Sequence, residues 1–438
     1  MALTEEQQDK LDEELINAIY ANDLKRVKEL KAQGADFSEL NSCDVYDVLV
    51  IASMSGHLDI VKYLNEEIED DDFDWDFDEA LSEAAGAGHL EMLKYLASKY
   101  DYDEDELNNA LMKASEGGNL EVVKHLITEL EKNELDINYS EALEEASRVG
   151  NLEIVKYLVE NCEDVDVLNA GLRSASTKGK LDVVKYLHQK GADVNSNDGY
   201  AIEWSSYYGH LDVVKYLVEN GANVNVGFVE AANYGGIEVI KYLVEKGANE
   251  NDKALKNAIE RGHLEVIKYL ADNGVDVVSA GNEYIYLALM NSHLEVVEYL
   301  ETQGVDFNSS INIGIAFSNA LMNGVLDNVK YLVKKGADIN DGLGNASKHG
   351  QLEIVKYLVE QGADVIAEDN FAIKCASYNG YLEIVKYLHQ NGGDLDEAIK
   401  EADEDIIEEL IAYKEKSLFE DDLKNMVFAK KKTDPLRV

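Results

Sequence analysis

One tripeptide recurs along the chain and constrains its fold more than any other feature. Lys-Tyr-Leu begins at Lys62, Lys94, Lys156, Lys185, Lys215, Lys241, Lys268, Lys330, Lys356 and Lys386, with variants at Lys124-His125-Leu126 and Glu298-Tyr299-Leu300. The shortest intervals between these twelve units are 26 and 27 residues. A weaker unit precedes them, with Leu24, Val27 and Leu30 in matching places. A degenerate one follows around Ala398-Ile399-Lys400-Glu401-Ala402. A period of this length marks a stack of small units, none able to bury its apolar face alone.

Each unit carries two apolar patterns. The first is Ala-Leu/Ile-x-x-Ala, as in Ala80-Leu81…Ala84, Ala110-Leu111…Ala114 and Ala254-Leu255…Ala258. Spacings of three and four put these residues on one helical face, and the small alanines let a neighbouring helix approach closely. The second pattern is a broader stripe such as Leu211, Val213, Val214, Tyr216 and Leu217. Opposite it, Asp212/Lys215, Asp59/Lys62, Glu91/Lys94 and Glu353/Lys356 form i,i+3 pairs worth about 0.2–0.5 kcal/mol each. A glycine separates the two helices in nearly every unit, suited to the left-handed conformation that ends a helix. Ser292 is the exception, so its turn is expected to be strained or different. A second glycine follows the second helix in most units, as in Gly191-Ala-Asp-Val-Asn.

Composition narrows the function. The only proline is Pro435, which leaves long stretches free for uninterrupted helices. With 40 Lys+Arg against 87 Asp+Glu, the formal net charge is −47. Such a surface repels phosphate backbones and disfavours nucleic acid. It solvates a long array and attracts a basic partner. Cys43, Cys162 and Cys375 are too few and too scattered for a disulfide framework, which points to a reducing compartment. The opening MALTEEQQDKLDEEL is acidic and does not read as a targeting peptide, and no apolar run is long enough for a membrane span. The expectation is an intracellular, cytoplasmic monomer with a protein partner and no membrane association.

Residues 198–225, DGYAIEWSSYYGHLDVVKYLVENGANVN, closely resemble the ankyrin repeat, and the resemblance recurs in register over about residues 12–412. The tyrosine-rich Lys-Tyr-Leu style is similar to ankyrin proteins of amoeba-infecting giant DNA viruses, which would place the protein in a host cell. The implied fold is an all-α, curved solenoid of about thirteen to fourteen helix-turn-helix repeats with short or absent β-hairpin links. Residues 1–36 would form an N-terminal capping repeat, 37–396 the twelve-repeat array, and 397–438 a degenerate C-terminal cap and tail.

The chain departs from the family pattern in three ways. The Thr-Pro-Leu-His opening of the first helix is absent, so the hydrogen bonds it makes between repeats cannot be assumed. Repeats at 215–241, 241–268 and 330–356 are short, so their hairpins should shrink to tight turns. Between Leu64 and Asp166 the second glycine is missing, and the links there should take another shape.

Two regions stand out as binding candidates. The link at 66–79, EEIEDDDFDWDFDE, has ten acidic residues in fourteen and interleaves Phe73, Trp75 and Phe77. Those rings either pack beneath solvated acids or dock a basic segment through charge and cation–π contact. Calcium ligation is disfavoured, because Phe77 stands where a calcium loop places its glycine. The second region follows from the resemblance, which implies that the two residues before each turn glycine face a concave groove. They include Arg148, Lys178, Tyr207, Tyr208, Tyr234, Arg261, Lys348 and Tyr378, with Trp204 on the helix of Tyr207. Only two of the twenty-four such positions are acidic, a pattern that fits either a partner groove or burial beside the next repeat. His57, His89, His210, His263 and His293 recur at the turn, which is structural periodicity, and no metal, cofactor or catalytic constellation is legible. The tail after Ala412 suits a capping helix.

The expected function is a non-enzymatic scaffold or adaptor whose partner lies along the concave face or the acidic links. The alternative is a passive structural or virion-associated protein without a discrete partner.

Overall fold

The computed structural model describes residues 5–35, 48–67, 77–162, 164–305 and 310–419. Among them the only regular structure is α-helix, arranged as consecutive antiparallel pairs. The chain divides into two compact parts, Met1–Glu250 and Asn251–Val438.

In the first part the pairs run from Glu5–Tyr20 with Leu24–Gln33 to Val224–Tyr234 with Ile237–Glu245. Each first helix packs against the first helices of neighbouring repeats, and second helices pack on second helices. The second part repeats the plan from Asn251–Glu260 with Leu264–Asp272 to Ala367–Tyr378 with Leu382–Gln390. It closes with Leu395–Lys400 and a helix at 407–419. The expected boundary at 397 falls inside Leu395–Lys400.

The apolar patterns do what their spacing dictates. Ala80, Leu81, Ala84, Ala110, Leu111 and Ala114 are fully buried, as are Val213, Val214 and Leu217 on a second helix. Tyrosines of the tripeptide are only half-buried. Every described turn glycine has a positive φ, for example +73° at Gly56 and +67° at Gly179. Ser292 adopts the same conformation at φ +67°, and Asn22 does so in the first pair at φ +54°. The Ser292 turn is therefore strained rather than different.

Turn glycines serve a second purpose that links repeats. A Cβ on Gly179 would lie 2.7 Å from the His210 ring, and one on Gly56 would lie 2.6 Å from that of His89. The rings come this close because each bonds the end of the preceding first helix. His210 Nε2 donates to the Thr177 carbonyl at 3.1 Å, His89 to Met54 at 3.0 Å and His293 to Glu260 at 3.0 Å. Asn119 and Gln351 make the equivalent bond to Gly86 and Met322, and Asn151 bonds the turn glycine Gly118 itself. Orphan carbonyls at a helix end need such donors, and here the next repeat supplies them. Past Ser292 the matching residue is Val325, which has no side-chain donor. Asn319 donates instead to the matching Met290 carbonyl at 3.2 Å, and buried Asn328 donates to the Leu289 carbonyl at 2.9 Å.

The links carry another repeat-to-repeat bond. Side-chain oxygens of Asn169, Asn225, Asn340 and Asn370 accept from the backbone of Asp193, Asn249, Asp364 and Asp394 at 2.7–3.0 Å. These asparagines and the turn residues supply contacts in place of the missing Thr-Pro-Leu-His.

On the second helices, lysine of one repeat sits over tyrosine of the next. Lys62 lies over Tyr95, Lys156 over Tyr186, Lys215 over Tyr242 and Lys268 over Tyr299, at 5.6–6.0 Å. Tyr186 and Tyr242 are flanked again by Lys190 and Lys246. The expected pairs Lys94–Glu91 and Lys356–Glu353 form at 2.7 Å. Lys62 and Lys215 lie over the neighbouring ring instead, as do Lys156 and Lys268.

Links without the second glycine differ among themselves. Glu134 takes φ +55°, and Leu135 donates back to the Leu130 carbonyl, much as Ala192 does to Leu187 after Gly191. That link keeps the common shape despite lacking glycine, which corrects the expectation there. Ser98 instead stays right-handed and Cys162 is extended. Two further links contain runs of three left-handed residues, Asn197–Gly199 and Glu368–Asn370, which the sequence did not suggest.

Candidate partner-binding face

The first helix Ser196–Tyr207 carries Tyr200, Trp204 and Tyr207 at spacings of four and three, so these rings share one side, and Tyr208 follows at its C-cap. Tyr200 and Trp204 have centroids 5.8 Å apart, Trp204 and Tyr207 5.5 Å, and Trp204 and Tyr208 5.9 Å. Tyr207 meets Tyr208 edge-on at 5.1 Å. Tyr234, at the end of the next first helix Val224–Tyr234, joins at 5.6 Å from Tyr207. Lys178, from the preceding repeat, places its ammonium 5.9 Å from the Tyr208 ring. Five rings and one cation from three successive repeats thus form one continuous face. Tyr208 and Tyr234 are 42% and 50% exposed.

This face brings together Lys178, Trp204, Tyr207, Tyr208 and Tyr234 of the residues singled out by sequence. Arg148 stands apart. Its guanidinium donates to Glu116 and to Glu145, both at 2.6 Å, and these carboxylates hold its proton more firmly than usual. It reaches the surface already neutralised, as a tie between neighbouring first helices. In the second part, Arg261 and Lys348 are exposed, Arg261 has a partner of its own, and Tyr378 is 68% exposed. Phe77 is half-buried and stacks on Tyr100 at 3.7 Å between centroids. Phe73, Trp75 and the would-be calcium ligands up to Asp76 lie outside the described residues.

Two carboxylates on this face escaped the sequence reading. Glu203 is four residues before Tyr207, and Glu230 is four before Tyr234, so each shares a helical side with its tyrosine. Burial and the charge of Glu230 push the Glu203 carboxyl upward. Neighbouring carboxylates are answered differently. Glu83 pairs with Lys113 at 2.9 Å, and Glu116 and Glu145 share Arg148. The i,i+4 spacing to a tyrosine of the aromatic run was the signal available for Glu203 and Glu230.

Other chemistry is sparse among the described residues. No group of three or more His, Cys, Asp or Glu is placed to hold a metal ion. Cys162 and Cys375 are free thiols, and burial pushes the Cys375 thiol upward. No described helix is long and apolar enough to cross a membrane.

The family model for ankyrin repeats (3 copies) matches residues 15–106, 81–169, 143–227, 228–311 and 317–399. The chain belongs to the ankyrin-repeat family. Its stacked helix pairs are an all-α ankyrin-repeat solenoid, and ankyrin repeats are generally protein–protein interaction modules that typically lack enzymatic activity. No curated protein matches the sequence. The aromatic face lies across ankyrin repeats within residues 143–227 and 228–311.

Proposed function

We propose that this ankyrin-repeat protein is a non-enzymatic interaction scaffold whose principal docking site is the face formed by Trp204, Tyr207, Tyr208 and Tyr234. The observation that carries this is the continuity of the rings across adjacent repeats, with two of them about half exposed to water. Aromatic side chains gain from leaving water and lose little entropy on docking, so they concentrate binding energy. A stacked-helix platform holds them in place beforehand and lowers the ordering cost of association. The first and last helix pairs act as caps, and the partner is a soluble protein met in a reducing compartment.

The test is differential capture from a cell lysate. The intact chain and the Y207A/Y208A/Y234A variant are compared, with helical circular dichroism recorded for both. A protein retained by the intact chain and lost by an equally helical variant supports docking here. Equal retention moves the site to the acidic links or the tail. Capture of nothing by either favours a passive structural protein.

A further inference from the structure

The docking face has an electrostatic feature that narrows what it accepts, and the argument rests on the docking reading above. Three first-helix carboxylates of neighbouring repeats are matched by cations of the same chain: Glu83 by Lys113, and Glu116 with Glu145 by Arg148. The same holds within the second part, where Lys256 reaches Glu283 at 3.2 Å and Lys374 reaches Glu397 at 3.2 Å. Tyrosines of the second helices are likewise matched, with lysines over Tyr95, Tyr157, Tyr186, Tyr242 and Tyr299. Glu203 and Glu230 face one another's charge; Asn233 donates a neutral hydrogen bond to Glu230 at 3.2 Å, and among the described residues no cation pairs with either carboxylate. The neighbouring Tyr207 and Tyr234 rings, 5.6 Å apart, also carry none. At the other edge of the same cluster, Tyr208 already takes the Lys178 ammonium.

We infer that a basic side chain, arginine or lysine from an extended segment of a protein partner, seats between Glu203 and Glu230 and against the Tyr207 and Tyr234 rings. Two carboxylates supply charge-assisted acceptors, and the rings supply the quadrupole that attracts a cation. The incoming charge removes the repulsion between Glu203 and Glu230. A phosphate-bearing ligand would add to it, so the occupant is a basic protein segment rather than a nucleic acid.

Trp204 reports on this site. Trp75 is the second of the protein's two tryptophans, so a W75F background isolates the Trp204 signal. The probe is acetyl-Gly-Arg-Gly-Arg-Gly-amide, with the uncharged citrulline peptide as its control, at about 0.15 M salt to screen long-range attraction. The arginine peptide should change Trp204 emission saturably and the citrulline peptide should not. E203Q/E230Q should weaken binding about tenfold, as expected when a desolvated charge partner is removed. E219Q/E245Q removes the same charge from exposed second-helix positions of these repeats and should change affinity by less than about twofold. Equal weakening by the two pairs would assign binding to the net charge and overturn the inference. So would equal responses to both peptides, or none. Natural-partner capture separates the two claims. Loss in Y207A/Y208A/Y234A with retention in E203Q/E230Q would leave docking standing and sink the cationic anchor. Retention in both would sink both.

Discussion

At the residue scale, the turn position decides how closely repeats can approach. Gly179 is constrained twice, by its φ of +67° and by the His210 ring 2.7 Å from where a Cβ would lie. Ser292 meets the first constraint without the second, since Val325 stands where most other repeats place a ring or amide. Opposite outcomes follow for opposite substitutions. S292G should raise stability by about 1 kcal/mol through relief of left-handed strain, while G179A should lower it by more than that, because strain and overlap act together. Thermal melting monitored by circular dichroism checks both, and a destabilised S292G would refute the assignment of strain. His210 gives a related test. Asparagine makes the same bond at 119, so H210N should keep most of the stability, whereas H210L should cost about 1–3 kcal/mol by leaving the Thr177 carbonyl without its donor. Equal losses in the two variants would mean that the ring acts through packing alone.

At the element scale, second helices are tied by lysine over the tyrosine of the following repeat. The tripeptide was visible at once in the sequence, but its lysine was assigned only to the carboxylate three residues before it. The misassignment has a physical cause. An i,i+3 partner is legible within one helix, whereas a ring about thirty residues away becomes a neighbour only after stacking. The turn histidines were likewise recognised as periodic, but their bonds to the preceding repeat were not foreseen. A double-mutant cycle on Lys215 and Tyr242, using K215M and Y242L, should show a coupling of about 0.5–1 kcal/mol. A coupling indistinguishable from zero would reduce the tripeptide to helix-forming and apolar roles. The binding face follows the same logic. Its aromatic members were legible because they break the acidic composition, while Glu203 and Glu230 were passed over as two more acids among 87. Arg148 looked available in sequence because Glu116, 32 residues away, could not be seen beside it.

At the scale of the whole molecule, the net charge of −47 sets the terms of both stability and recognition. The ion pairs are mostly at the surface and individually small, so self-repulsion among excess carboxylates should dominate the salt response. Raising ionic strength from about 0.01 M to 0.15 M, which shortens the Debye length from about 30 Å to 8 Å, should therefore raise the melting temperature. A fall would show that the pairs outweigh the repulsion. Fold class was plain from the sequence because each repeat reproduces the same glycine, alanine and leucine positions. The link conformations were not, since Glu134 adopts a glycine-like conformation that its residue type does not announce.

The central claim is that a partner docks on the aromatic face. Oxidative footprinting of the intact chain, alone and with its captured partner, tests it most directly, because the reaction reads solvent access at individual Trp and Tyr side chains. Protection of Trp204, Tyr208 and Tyr234, with the second-helix tyrosines Tyr186 and Tyr242 unchanged, is the predicted result. Unchanged labelling of Tyr208 and Tyr234, alongside protection elsewhere on the chain, would contradict it.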